Sequence, residues 1–258
     1  MNAFIINGDD ANSFSANDNF NFNWNDAHLL EPVSDDVQLK VEELKAYLEA
    51  NPNKQIDIVG LYRSNEVNNT AFPDLGLARA NAVKNFFVSK GISSQQLNLS
   101  SRLDDTFEPS TDSILHGPLN FSWKLASNAN EADSNAIDWE KLAAEIKANP
   151  LILYFETGQN TINLSDEQKQ KFAQISMYLD KVEGSTVNII GYTDNTGDRQ
   201  TNINLGLERA NFAKSYFVNN GINADKLNVS SKGPDDPIAD NNTEEGRSKN
   251  RRTVVTIN

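Results

Sequence analysis

The chain is predicted to be an α/β protein made of two copies of one domain, each a sheet covered by helices. A repeat is the first observation behind this. Leu75–Ser101 and Leu205–Ser231, offset by 130, are identical at 15 of 27 positions. Upstream the offset becomes 131: Ser34-Asp35 matches Ser165-Asp166, Gly60 matches Gly191, and Trp24 falls on Phe155. A repeat of this length sets the architecture before any local pattern is read. The second observation is that short apolar or β-rich runs alternate, within each copy, with segments of helical period, the pattern of strands and helices sharing one sheet.

The elements follow in order. Residues 1–18, rich in Asn and Asp, are expected to be flexible, and the first domain is expected over 19–125. Its first helix carries Val37, Val41, Leu44 and Leu48 on one face, and Gly91 ends its second. Residues 126–138 are small and polar enough for a linker, and 139–258 form the second domain. Trp139, Leu142, Ala143 and Ile146 give a short amphipathic helix. Leu151–Phe155 is an apolar strand, and Ser165 with Gln168 forms a capping box over a helix with Phe172, Ile175, Leu179 and Val182 on one face. Thr186–Ile190 is a strand ending at Gly191. Leu205–Asn219 is helical, with Ala210, Ala213 and Phe217 inward and Gly221 as its stop. Strands at Lys226–Ser230 and Thr253–Ile257, with a loop and short helix between, complete the copy.

Composition narrows the function. The net charge of −13 argues against nucleic acid and against an anionic membrane surface as main partner. No run approaches the ~18 apolar residues of a membrane span. The absence of cysteine removes disulfides, thiolate metal sites and cysteine nucleophiles. The opening Met1–Gly8 has neither a basic n-region nor a long apolar h-region, so no export signal is expected in the chain as written.

Chemistry concentrates in the second copy. Gly191-Tyr192-Thr193-Asp194-Asn195-Thr196-Gly197 places Thr193 and Asp194 where a strand meets a loop. Arg209 follows fifteen residues after Asp194, and Gly246-Arg247-Ser248-Lys249-Asn250-Arg251-Arg252 stands near the end. A fixed Asp accepts from an ammonium, and a fixed Arg forks onto a carboxylate, so the pair suits a small zwitterion. Asn202 is expected to cap the helix after the Asp loop, and N–H groups at that helix start favour an anion. Arg247 and Arg251, four residues apart, are placed to face the same site. A plainer reading competes: Asp194 closes its loop and Arg209 makes a structural ion pair.

In order and spacing these motifs resemble the OmpA-like peptidoglycan-binding domain, over roughly Leu151–Asn258. The resemblance implies a β-α-β-α-β-β mixed sheet with helices mainly on one face. It also implies a ligand, the zwitterionic end of diaminopimelate in the peptidoglycan stem peptide. Asp194 and Arg209 then become its anchors, with Thr193, Asn202, Leu205 and Arg251 lining the pocket and Arg247 and Asn250 supporting it. No cofactor or metal is implied, and the family's home is the periplasm, in association with the outer membrane. Gly158 departs from the family, many members having a polar side chain there, which implies a shallower pocket.

The first copy keeps Arg79 for Arg209 but has Arg63 for Asp194 and Phe72 at or near the Asn202 position, and it lacks the arginine segment. A cation in place of the ammonium acceptor implies a fold without the ligand, serving as spacer or protein-contact surface. Three rival functions stand beside this one. Catalysis has only His28 and His116 and no nucleophile elbow to draw on. A calcium module would use Asp194–Asp198 and Asp235-Asp236, which lack EF-hand spacing. In an envelope protein-interaction scaffold, both copies would bind partners and neither would bind peptidoglycan.

Overall fold

In a computed structural model the described residues are 3–8, 13–124, 137–154 and 162–258. Contacts divide the chain into two compact units, residues 1–136 and 137–258.

Unit 1 begins with a hairpin, β1 (Phe4–Ile6) antiparallel to β2 (Phe14–Ala16). The expectation that residues 1–18 are flexible is corrected here for the described part. Phe4, Ile6, Phe14 and Ala16 are buried in the unit's core while Ile5 faces outward, the two-residue alternation of a half-buried strand. Phe4 meets Phe121 edge-on at 4.9 Å and Phe20 at 5.9 Å. Each buried aromatic is worth about 1.5–3 kcal/mol of apolar burial, enough to hold a segment whose loops are polar. Strands of three residues are too short to stand out in an Asn- and Asp-rich sequence.

β3 (Asn21–Asn23) follows, then α1 (Asp35–Ala50), which buries Val37, Val41, Leu44 and Leu48 as its period requires. β4 (Ile56–Tyr62) is the central strand. It leads through α2 (Leu75–Ser89) to β5 (Leu97–Leu103), parallel to β4. The chain returns as β6 (Ile114–His116) and β7 (Leu119–Trp123). β7 runs antiparallel to β4, completing the order β5-β4-β7, while β6 pairs with β3 in a separate ladder. Gly117, at φ +64°, and Pro118, which has no N–H to donate, separate β6 from β7.

Unit 2 opens with α3 (Trp139–Ala148), capped by Asp138, whose carboxylate accepts from Lys141 N at 3.0 Å; Leu142 and Ile146 are buried. β8 (Leu151–Tyr154), α4 (Asp166–Lys181), β9 (Val187–Tyr192), α5 (Arg199–Asn219), β10 (Leu227–Gly233), α6 (Glu244–Asn250) and β11 (Arg252–Ile257) follow. The sheet order is β10-β9-β11-β8. β10 is parallel to β9, and β11 is antiparallel to both β9 and β8. This is the mixed α/β arrangement expected. The capping box forms: Ser165 Oγ accepts from Gln168 N, and the Gln168 side chain accepts from Ser165 N at 2.8 Å. Phe172 of α4 meets Phe217 of α5 at 4.9 Å in the core. Val182 is the C-cap and is only partly buried, so that face of α4 ends at Leu179. Most of the proposed linker, with Phe155 and Gly158, lies outside the described residues.

One contact occurs in both units. A Cβ on Gly60 would stand 1.8 Å from the carbonyl oxygen of Gly76, and a Cβ on Gly191 equally close to that of Gly206. In each unit the helix after the central strand lies against that strand's backbone, which only a glycine at the strand position permits. This close approach brings the helix arginine, three residues further on, beside the end of the strand.

Candidate functional site

β9 ends with Tyr192, and Thr193 continues into the loop, its N–H donating to Gly233 O at 2.8 Å. Thr193 is buried, and its hydroxyl donates to Asp194 O at 2.8 Å. Asp194 Oδ1 accepts from Thr196 N at 2.9 Å, so the carboxylate does close its own loop. Its other oxygen accepts from Arg251 Nη1 at 3.0 Å. Burial raises the Asp194 carboxyl, but the Thr196 N–H and the Arg251 guanidinium outweigh it and hold the group below its ordinary value. The carboxylate is therefore ionised and fixed, with lone pairs remaining for one more donor.

Arg209 projects from α5, partly buried, and Nη1 donates to Tyr192 O at 3.3 Å. It forms no ion pair among the described residues, contrary to the plainer reading of it as a structural partner. Burial pushes its guanidinium below the ordinary arginine value, the Arg251 charge pushes the same way, and Asp194 opposes them. Arg209 and Arg251 thus lie near Asp194; Arg251 is paired with Asp194 and with Glu244, while most of the Arg209 fork is unoccupied among the described residues. A guanidinium so placed can take a carboxylate on its fork, and a carboxylate of the chain, Asp194, stands beside it.

Several expectations are corrected. α5 starts at Arg199, six residues before Leu205, because Asp198 rather than Asn202 is its cap, accepting from Thr201 N at 2.9 Å. The anion position at this helix start is filled by the chain's own Asp198. Asn202 sits inside the first turn, buried, and donates from Nδ2 to Thr196 O at 2.9 Å, which pins the Asp194 loop against the helix. Leu205 is 38% exposed.

The arginine segment divides. Arg251, just past α6, joins Asp194 to Glu244, with Nη2–Oε1 2.8 Å on the latter. Arg247 turns away to Glu244 Oε2 and Asn241 O, both within 3.0 Å, and does not reach Asp194. Asn250 is fully buried: Oδ1 accepts from Ile238 N and Ala239 N, and Nδ2 donates to Ala239 O and Asn241 Oδ1. Its role is to fold the loop leading into α6. Arg252 lies over the Tyr192 ring at 3.9 Å and donates to Asp236 O. The sequence reading missed Asp198 and Glu244; Asp198, three residues before Thr201, carried an ordinary N-cap signal.

No group of three or more His, Cys, Asp or Glu suited to a metal ion occurs among the described residues, the Asp194–Asp198 loop included. No helix among them is long and apolar enough to cross a membrane.

Unit 2, then, is a mixed-sheet domain in which Asp194, just past the end of β9, is paired with Arg251 and lies near Arg209 of α5. Residues 154–251 match the family model of the OmpA family. Among similar proteins, outer membrane protein Omp38 of Acinetobacter baumannii is 42% identical over 108 residues, which are 42% of this chain and 30% of that protein. Peptidoglycan-binding protein ArfA of Mycobacterium tuberculosis is 44% identical over 72 residues, 28% of this chain and 22% of that protein. The match therefore spans less than a third of either relative. Among solved structures, the peptidoglycan-associated lipoprotein from Burkholderia pseudomallei aligns over 42% of this chain and 89% of its own, with 23% identity and a TM-score of 0.37.

Proposed function

We propose that unit 2 binds the zwitterionic end of a diaminopimelate residue in the peptidoglycan stem peptide and thereby anchors an envelope structure to the cell wall. The observation that carries this reading is Arg209: a partly buried guanidinium with no carboxylate partner among the described residues, beside an ionised Asp194 that has lone pairs left over. A ligand carboxylate lies on the Arg209 fork with Arg251 alongside, and the ligand ammonium donates to Asp194. Thr193 and Asn202 hold the Asp194 loop in place, Leu205 borders the site, and Arg247 and Asn250 shape the α6 loop behind it.

Two or three charge-assisted hydrogen bonds at about 1.5–3 kcal/mol each, less immobilisation, correspond to roughly millimolar to micromolar affinity. The sacculus presents the ligand repeatedly, so attachment gains from avidity. The chain is read as a binder rather than an enzyme, placed in the periplasm beside the outer membrane. Unit 1 is read as a second copy of the domain serving as spacer or as contact surface for an envelope protein.

Co-sedimentation with diaminopimelate-type sacculi tests this. The wild type pellets and Asp194→Ala stays in the supernatant. Equal pelleting of both refutes the assigned site, and failure of the wild type to pellet favours the interaction scaffold.

A further inference from the structure

Unit 1 already holds a carboxylate on the arginine that matches Arg209, and that carboxylate is its own. Arg79 Nη1 donates to Leu61 O at 3.0 Å, just as Arg209 Nη1 donates to Tyr192 O at 3.3 Å; Leu61 and Tyr192 follow the matching glycines Gly60 and Gly191. From that shared bond the two units diverge. Arg79 is fully buried and forks onto Glu66, Nη1 to Oε2 at 3.1 Å and Nη2 to Oε1. Glu66 Oε2 also accepts from the backbone N–H of Arg63 at 2.9 Å, and the Glu66 side chain is only 2% exposed. In unit 2, Asp194 stands where Arg63 stands. Among the described residues its N–H has no acceptor and Arg209 has no carboxylate.

We propose that Glu66 is a built-in ligand: its carboxylate takes the place in unit 1 that a ligand's carboxylate takes in unit 2, and so closes unit 1 to wall peptides. The comparison rests on reading Arg209 as a carboxylate receptor, while the geometry within unit 1 stands by itself. The same contacts define what the seat accepts once Glu66 is gone. An arginine fork and one backbone N–H remain, and the Arg63 guanidinium, held by Glu108 and near Asp105, lies where an ammonium acceptor would be needed. The vacated seat is therefore a site for a simple monocarboxylate and repels a zwitterion.

The test is chemical rescue. Glu66→Ala and Glu66→Gln are made in an Arg209→Met background, so that unit 2 adds no acetate response of its own. Thermal unfolding of the full chain is followed in sodium acetate and in sodium chloride at matched ionic strength. At ten times its Kd, acetate raises the Tm of Glu66→Ala by about 5 °C and shifts the Arg63 amide resonance. Glu66→Gln, whose amide keeps the seat filled, and the background protein show neither effect, and glycine as a zwitterion rescues nothing. An acetate response in Glu66→Ala no larger than in Glu66→Gln overturns the proposal. Should Glu66→Ala be unfolded in chloride, the acetate series becomes a refolding titration, and failure to refold at any acetate concentration overturns it equally. Rescue without sacculus binding by the wild type sinks only the wall reading; sacculus binding without rescue sinks only the built-in ligand.

Discussion

Replacing Arg209 with methionine separates a ligand receptor from a structural arginine. Among the described residues, Arg209 of the free protein gives up one hydrogen bond, to Tyr192 O at the long distance of 3.3 Å, and no ion pair. That loss is worth about 1 kcal/mol, and methionine retains most of the apolar stem contact. Relief of the repulsion from Arg251 offsets part of it. Stability is therefore expected to change by less than about 1 kcal/mol. Binding loses a forked, charge-assisted contact, about 3 kcal/mol, or roughly a hundredfold in Kd. The assays are urea unfolding for stability and quantitative sacculus pelleting for affinity, the latter per folded molecule. A variant destabilised by more than about 3 kcal/mol that still binds as the wild type does would refute the argument, since only a paired, buried charge behaves that way.

The matching change in unit 1 has the opposite signature. Arg79→Met strands the buried Glu66 carboxylate and is expected to cost about 3–5 kcal/mol in urea unfolding, with sacculus binding per folded molecule unchanged. Gly191→Ala would force a methyl group to within 1.8 Å of Gly206 O, so α5 must move off the strand. Destabilisation of about 3 kcal/mol or more is expected, together with loss of binding as Arg209 shifts. The folded Asp194 carboxyl titrates below its unfolded value of about 4. Its contribution to stability is therefore complete above that pH and is lost as pH falls through the folded value. Acid unfolding monitored by circular dichroism should accordingly be less steep for Asp194→Asn than for the wild type, with the two alike in slope between pH 5 and 8.

Much of the fold was legible in the sequence because it is written in local periodicity. Val37, Val41, Leu44 and Leu48 all turn inward on α1, and Ser165 with Gln168 caps α4. A helix face or a cap is decided by residues three or four apart, which a sequence displays directly. The close approach at Gly60 and Gly191 was marked by the repeat, although its meaning, helix backbone against strand backbone, needed coordinates. The N-terminal hairpin was missed because what orders it is burial against Tyr47, Trp123 and Phe121, all distant in sequence.

For the candidate site the division is sharper. The sequence by itself determined which residue types stand at the end of the central strand and on the following helix: Asp194 with Arg209 in unit 2, Arg63 with Arg79 in unit 1. Only the tertiary structure decided which of these charges are already satisfied. Arg251 reaches Asp194 across 57 positions while Arg247 does not. Glu66 fills the fork of Arg79, yet among the described residues no carboxylate fills that of Arg209. The physical reason is that an ion pair depends on distances of a few ångströms between side chains brought together by the fold. Their order along the chain does not encode those distances.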